Sequence, residues 1–156
     1  MLVCLFVSAL FWSGCNTEKP RVCRAGILVG FPPFIRVVDG FKNEMAKLGY
    51  KEGETIFYDV QEVNLDPEEH RRVILRFVVD KVDLIFVFPT GATVTAKKAT
   101  EGSNIPVVFA MAGLEGNNLV ESVRHPGGHN TGVRYPGPDL TLKRLELLQE
   151  LVPGLK

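Results

Sequence analysis

The sequence predicts an α/β protein built as a doubly wound parallel sheet, and three observations carry that prediction. Short apolar runs alternate with helical segments along most of the chain. Two of the runs, DLIFVF from Asp83 and IPVVFA from Ile105, are apolar without alternation, as strands are when helices cover both faces of a parallel sheet. At 156 residues, 46% of them apolar, the chain is long enough for one domain with a sizeable core.

Each element follows from local pattern. VCRAGILVG (Val22 to Gly30) reads as a buried strand. Ile35, Val38, Phe41, Met45 and Leu48 then recur at helix spacing, and Gly49 closes the helix. TIFYDV from Thr55 supplies a second strand, so the opening forms a β-α-β unit. DPEE at Asp66 to Glu69 offers an N-cap, a proline at the first helical position and a glutamate three residues after the cap, which predicts a helix to about Asp80. Asp39, Asp66 and Asp83 read as punctuation at helix and strand ends, and Asp80 with Lys81 as a surface turn. The third strand, DLIFVF, feeds a helix through Pro89, Thr90 and Gly91. PGGHNTGV is a glycine-rich turn entering a short strand near Thr131 to Val133, after which PGPD precedes a last helix, Leu140 to Leu151.

Charge excludes one class of partner. Lysine plus arginine equals aspartate plus glutamate at 18 each, with no long basic run, so a nucleic-acid partner is not expected. Catalytic groupings are also missing. No Gly-x-Ser-x-Gly elbow and no Gly-x-Gly-x-x-Gly turn occurs. Counting from Gly91, the chain supplies Ala96, Lys97 and Lys98 where a P-loop needs a second glycine, a lysine and a hydroxyl, so a P-loop is rejected. His125 and His129 are separated by Pro126, Gly127 and Gly128, which reads as a solvated loop and not a metal pair. The pattern is that of a binder without a cofactor, not an enzyme.

In open parallel α/β sheets ligands sit beyond the carboxyl ends of the strands. Three segments share that rim: GFPPF (Gly30 to Phe34), FPTGAT (Phe88 to Thr93) and AMAGLE (Ala110 to Glu115). A strand feeding a helix through a glycine-bearing turn presents free backbone N–H groups, which favour an anion, phosphate or carboxylate. The plainer reading is an ordinary junction capped by Thr90. Phe31, Pro32 and Phe34 would form an aromatic wall, Thr90, Gly91, Ala92 and Thr93 the N–H nest, and Ala112 and Gly113 a small-residue third side. Such a site fits a small organic molecule with a carboxylate. The alternative for both phenylalanines is core beneath the loop, and Met111 reads as packing.

The amino terminus has its own character. Leu2 to Trp12 is apolar but too short to span a bilayer as a stable helix, and it ends in Ser13, Gly14 and Cys15 before polar NTEKP. Residues 1–15 resemble a bacterial lipoprotein signal, in which cleavage precedes a cysteine that carries the lipid; here that is Cys15. The alternatives are a signal cleaved without lipidation or a buried terminal strand. Cys4 would leave with the signal, and Cys23 remains as a lone thiol on the first strand, where a small buried hydrophobe is expected.

The ordered motifs RAGILVGFPPF, DGFKNEMAKLGYKEGETIFYD, VDLIFVFPTGATVTAKKAT, IPVVFA, HPGGHNTGV and LELLQELVPGLK resemble those of the ABC-transporter substrate-binding lipoproteins of the periplasmic-binding-protein-like type I fold. The resemblance implies a two-lobed receptor that closes on a small solute, an aromatic amino acid in some relatives, and delivers it to an ABC permease in the membrane. It implies a place in the cell envelope, held to the membrane through the lipid anchor and facing the periplasm or the extracellular side. Carried over by position, Phe31 to Phe34 and Thr90 to Thr93 are binding loops, while the Thr-Asp-Pro that relatives carry near Ala112, Gly113 and Leu114 is absent. Residues 21–136 correspond to the first lobe and 137–156 to the first helix of a second. A flavodoxin-like or receiver-type domain shares the alternation, but receivers cluster acids after the first strand and Gly30 to Phe34 has none. A truncated, non-binding product is the third alternative. For the chain alone the expectation is no binding tighter than about millimolar, with self-association through the apolar stripe of Leu142, Leu145, Leu148 and Val152.

Overall fold

The computed structural model describes residues 21–152 and Gly154; the signal-like segment with Cys4 and Cys15 lies outside the described residues. Among these residues five strands form one parallel sheet: β1 (Cys23–Val29), β2 (Ile56–Glu62), β3 (Leu84–Phe88), β4 (Val107–Ala112) and β5 (Asn130–Arg134). Their spatial order is β2-β1-β3-β4-β5, and every pairing is parallel. Among the described residues four α-helices connect or follow them: α1 (Arg36–Lys47), α2 (Pro67–Val79), α3 (Thr90–Ala99) and α4 (Gly137–Leu151). The doubly wound sheet is the predicted class, with boundaries shifted by a few residues. The last helix starts at Gly137, three residues earlier than its apolar pattern indicates, and a short 3-10 turn at Pro32–Phe34 precedes α1.

The continuous apolar strands are explained by what covers them. Along β3, Ile85 and Val87 face a core shared with Val73, Ile74 and Phe77 of α2 and Ala92 and Ala96 of α3. Phe86 and Phe88 face the opposite core, with Ile27 and Val29 of β1, Val38 of α1 and Tyr58 of β2. Phe41 of α1 stacks on Phe86 at 4.3 Å between ring centroids. Cys23 is a free, half-buried thiol packed against this second core, in the hydrophobic role expected of it. Gly26 shows how closely α2 lies on the sheet, since a Cβ there would sit 2.6 Å from the Phe77 ring.

Helix ends follow the sequence signals closely. The Asp66 carboxylate accepts the Glu68 N–H at 2.9 Å, capping α2 ahead of Pro67. Gly49, at φ 94°, closes α1 with its N–H on the Ala46 carbonyl. Asp83 ties the sheet's lower edge by accepting from the Arg24 N–H and the Arg21 guanidinium.

Candidate functional site

Chain direction across the sheet reverses between β1 and β3. From β1 the chain moves to β2 on one side, then crosses back over β1 to reach β3 on the other. The loops leaving the carboxyl ends of β1 and β3 therefore diverge, and the crevice they open is the place where such sheets hold ligands. The Gly30 N–H donates to the Phe88 carbonyl at 2.8 Å, which fixes the floor of that crevice.

On the β3 side stands the start of α3. The first helical N–H with a carbonyl behind it is that of Thr93, on Pro89 at 3.0 Å. The N–H groups of Thr90, Gly91 and Ala92 precede it and have no carbonyl to donate to among the described residues, so the helix presents them with its positive end. Gly91 is exposed, and a Cβ built on it would meet no atom within 4 Å beyond its chain neighbours and the nearby backbone of its own helix.

The cap itself differs from expectation. Pro89 occupies the N-cap position and no side chain caps the helix, so Thr90 is not the cap. The Thr90 hydroxyl instead accepts the Gly113 N–H at 2.9 Å, joining α3 to the loop after β4. Thr93 is fully buried and donates its hydroxyl back to the Pro89 carbonyl at 3.0 Å. Ala92 is also fully buried, so these two contribute backbone and packing to the rim, not side chains.

On the β1 side, Phe31 and Phe34 meet edge to face with centroids 5.0 Å apart, and Pro32, half-buried, begins the 3-10 turn that sets their spacing. Phe34 packs partly against the α1-side core, whereas Phe31 stands outside that cluster and is the better placed of the two to meet a solute. In the third loop Ala112 is fully buried and Gly113 half-exposed with its N–H engaged. Asn117 donates to the Gly113 carbonyl at 3.0 Å, and Glu115 pairs with Arg134 at 3.2 Å. The third loop thus braces the crevice more than it lines it. His125 and His129 lie in an exposed loop with Gly127 and Gly128 both in the left-handed region between them.

Two residues near the rim call for comment: Met111, which the sequence reads as packing, and His70, which the sequence reading does not single out. Met111, half-buried, takes φ 54° at the irregularity in β4 between Ala110 and Ala112, a conformation a non-glycine residue rarely holds. His70, 2% exposed, lies on the inward stripe of α2 with Val73, Ile74 and Phe77, and that spacing was available in the sequence.

Known proteins show the same assembly of parts. The sequence pattern of the family described as ABC transporter substrate binding protein matches residues 26–156. A tyrosine-binding protein of Clostridioides difficile (strain R20291) is 33% identical over 145 residues, which is 90% of this chain and 41% of that protein. The ligand-free, open structure of a substrate binding protein with adhesive properties from Clostridium difficile has a TM-score of 0.65 at 30% identity, covering 71% of this chain and 38% of its own. An ABC domain from Streptococcus pneumonia in complex with L-Trp also gives 0.65, at 27% identity over 72% of this chain and 38% of that one. The chain therefore spans about two fifths of the length of these relatives. With a parallel sheet, a helix start open at its switch point and a family pattern matched over residues 26–156, the chain belongs to the ABC transporter substrate-binding proteins.

Proposed function

We propose that this chain forms one wall of a solute-binding cleft that captures a small carboxylate-bearing organic molecule, an aromatic amino acid by class, for an ABC importer. The observation that carries the reading is the start of α3, where the Thr90, Gly91 and Ala92 N–H groups have no carbonyl partner among the described residues, at the same rim of the sheet as the loop after β1 that carries Phe31 and Phe34. The N–H groups suit a carboxylate and the rings suit an aromatic side chain. Relatives named for tyrosine binding and solved with L-Trp support that class. A helix N-terminus contributes roughly 0.3 to 1 kcal/mol to a nearby anion, and up to about 2 when partly buried.

L-tryptophan and its uncharged analogue L-tryptophanamide separate the two halves of the proposal. In a nuclear magnetic resonance titration of the 156-residue chain, L-tryptophan is expected to shift the Gly91 amide and to bind several-fold more tightly than the amide. Gly91→Val places a side chain in the open space before the N–H groups and is expected to erase that preference. Equal binding of acid and amide by the parent would show that no carboxylate is held there.

Delivery of the solute to a membrane permease and retention at the cell envelope belong to the same proposal. Cys15, following Ser13 and Gly14 after an apolar run, is the lipid attachment point. Cys15→Ser is expected to lose palmitate labelling in a bacterial host, and equal labelling of variant and parent would rule the anchor out.

A further inference from the structure

Arg21, the first described residue, stands six positions after Cys15, a tether that reaches roughly 20 Å at full extension. Arg21 lies at the amino end of the sheet, where its guanidinium donates at 2.6 Å to Asp83, the residue before β3. The crevice lies at the other end, beyond the last residues of β1 and β3. With seven residues, β1 alone is about 23 Å long. A body turned with its crevice on a bilayer would hold Arg21 at least that far above the surface, out of reach of a tether fixed there by its lipid.

The amino end has a surface suited to lie there instead. Hydrogen bonds join its three segments: the Cys23 N–H donates to the Thr55 carbonyl at 2.9 Å, the Thr55 hydroxyl to the Gly49 carbonyl at 3.2 Å and the Arg24 guanidinium to the Asp80 carbonyl at 3.3 Å. Each segment carries an exposed apolar side chain: Val22 ahead of β1, Leu48 after α1, 73% exposed, and Val79 at the end of α2, 77% exposed. Isolated apolar residues are ordinary on a protein surface, but these three occupy adjoining segments at one end of the molecule. The rim's charges are largely paired with one another, Arg21 with Asp83, Lys47 with Glu44 and Lys51 with Glu54. What it offers a partner is therefore mainly apolar. Lys81 is exposed and holds φ 51°, a conformation glycine would take with less strain. An amine kept there suits the headgroup level of a bilayer, with its stem along apolar neighbours.

We propose that the amino-end rim of the sheet, with Val22, Leu48 and Val79 at its centre, is a membrane-contact surface that rests on the bilayer. The proposal rests on the lipid anchor at Cys15 argued above. The short tether selects the end of the molecule that faces the membrane, and the apolar side chains hold that end at the surface. The strands then rise away from the bilayer, and the crevice at their carboxyl ends opens toward the solution that carries the solute.

The test places the lipidated chain, produced in a bacterial host, in vesicles of phosphatidylethanolamine and phosphatidylglycerol, with a nitroxide on the headgroup of some of the lipid. Cys23→Ser removes the other thiol of the mature chain, and a single new cysteine is labelled with bimane at one end of α2 or the other. Val79→Cys marks the amino-end rim, and Leu65→Cys, also at an exposed position, marks the crevice side, the two ends of the helix being about 20 Å apart. The nitroxide is expected to quench the Val79 label several-fold more strongly than the Leu65 label, and Leu48→Asp to weaken that quenching. Equal quenching at the two ends, or stronger quenching at Leu65, would overturn the proposal, as would a Leu48→Asp chain quenched like the parent. A Val79 label whose emission shifts to the blue without being quenched would mean that a second copy covers the rim, and would overturn it as well. Palmitate labelling of the same preparation tells the two readings apart. Without palmitate the anchor falls and this proposal falls with it, whereas palmitate alongside an unquenched Val79 label overturns this proposal alone.

Discussion

Helices α2 and α4 carry the same kind of apolar stripe and meet opposite fates. In α2 the stripe of His70, Val73, Ile74 and Phe77 is sealed against the sheet, none of the four more than 3% exposed. In α4, Leu142 is 68% exposed, Leu145 48%, Leu148 44% and Leu151 79%. The difference lies in the partner. Beneath α2 the strands offer Leu28, Ile85 and Val87, and the missing side chain of Gly26 lets the Phe77 ring settle on β1. The α4 leucines join neither of the two cores that pack on the sheet. Helical periodicity encodes a face, and only the rest of the fold encodes what the face meets.

The sharpest way to break this comparison is to truncate one residue in each stripe. Phe77→Ala removes a fully buried ring and leaves a cavity between α2 and β1, so a loss of roughly 3 to 5 kcal/mol is expected. Leu145→Ala is expected to change stability by no more than about 0.5 kcal/mol. Urea unfolding at low protein concentration measures both. A Leu145→Ala cost approaching that of Phe77→Ala would mean that the α4 stripe is covered in solution, and the contrast between the helices would disappear.

The same two regions show how much could be read in advance. Strands β3 and β4 were legible because continuous apolar runs have few other uses, and the start of α2 because Asp66 and Pro67 state it in adjacent letters. The candidate site was legible as backbone: the N–H groups of Thr90, Gly91 and Ala92 follow from a strand turning into a helix. Side-chain directions were not. Thr90 is drawn to Gly113, 23 residues away, and no local pattern encodes that hydrogen bond. Ala92 is turned inward because α3 closes on Gly30. The left-handed φ of Met111 depends on the register of β4 against β5, which single-strand patterns do not contain. His70 is the opposite case, since its place on the α2 stripe was written in the spacing and only its polarity distracted from it.

A smaller effect contrasts the ends of α1 and α2. Both close with the same paired bonds. In α1 the Gly49 N–H meets the Ala46 carbonyl and the Tyr50 N–H that of Met45; in α2 the Lys81 N–H meets Val78 and the Val82 N–H meets Phe77. The closing residue must take a left-handed conformation, with φ 94° at Gly49 and 51° at Lys81. Glycine adopts it freely and lysine does so at a cost of roughly 1 kcal/mol. Lys81→Gly is therefore expected to stabilise the chain by about 0.5 to 1 kcal/mol, read as a higher urea midpoint. An unchanged or lower midpoint would show that the lysine side chain offsets its strained backbone.

The smallest effect at neutral pH concerns Tyr58, on the face of the sheet opposite α2. Its hydroxyl is buried without a partner, its ring lies under the Lys42 ammonium at 4.9 Å and edge-on to Phe41, and Glu52 is close by. Burial first, and then the Glu52 charge, push its pKa above the ordinary 10.0. The unfolded tyrosine ionises near that ordinary value while the folded one resists. Whatever stability Tyr58 contributes is thus whole below pH 10 and is lost as pH rises from there toward the raised folded value. Tyr58→Phe removes the ionisation together with a hydroxyl that makes no hydrogen bond, so at pH 7 it is expected to change stability by less than about 0.5 kcal/mol. Above pH 10 the parent should weaken faster than the variant, and urea midpoints measured from pH 7 to pH 11 would show the two curves separating. Parallel curves across that range would mean that the hydroxyl ionises as readily in the folded chain as in the unfolded one, and that the α1 side of the sheet is wetter than its packing indicates.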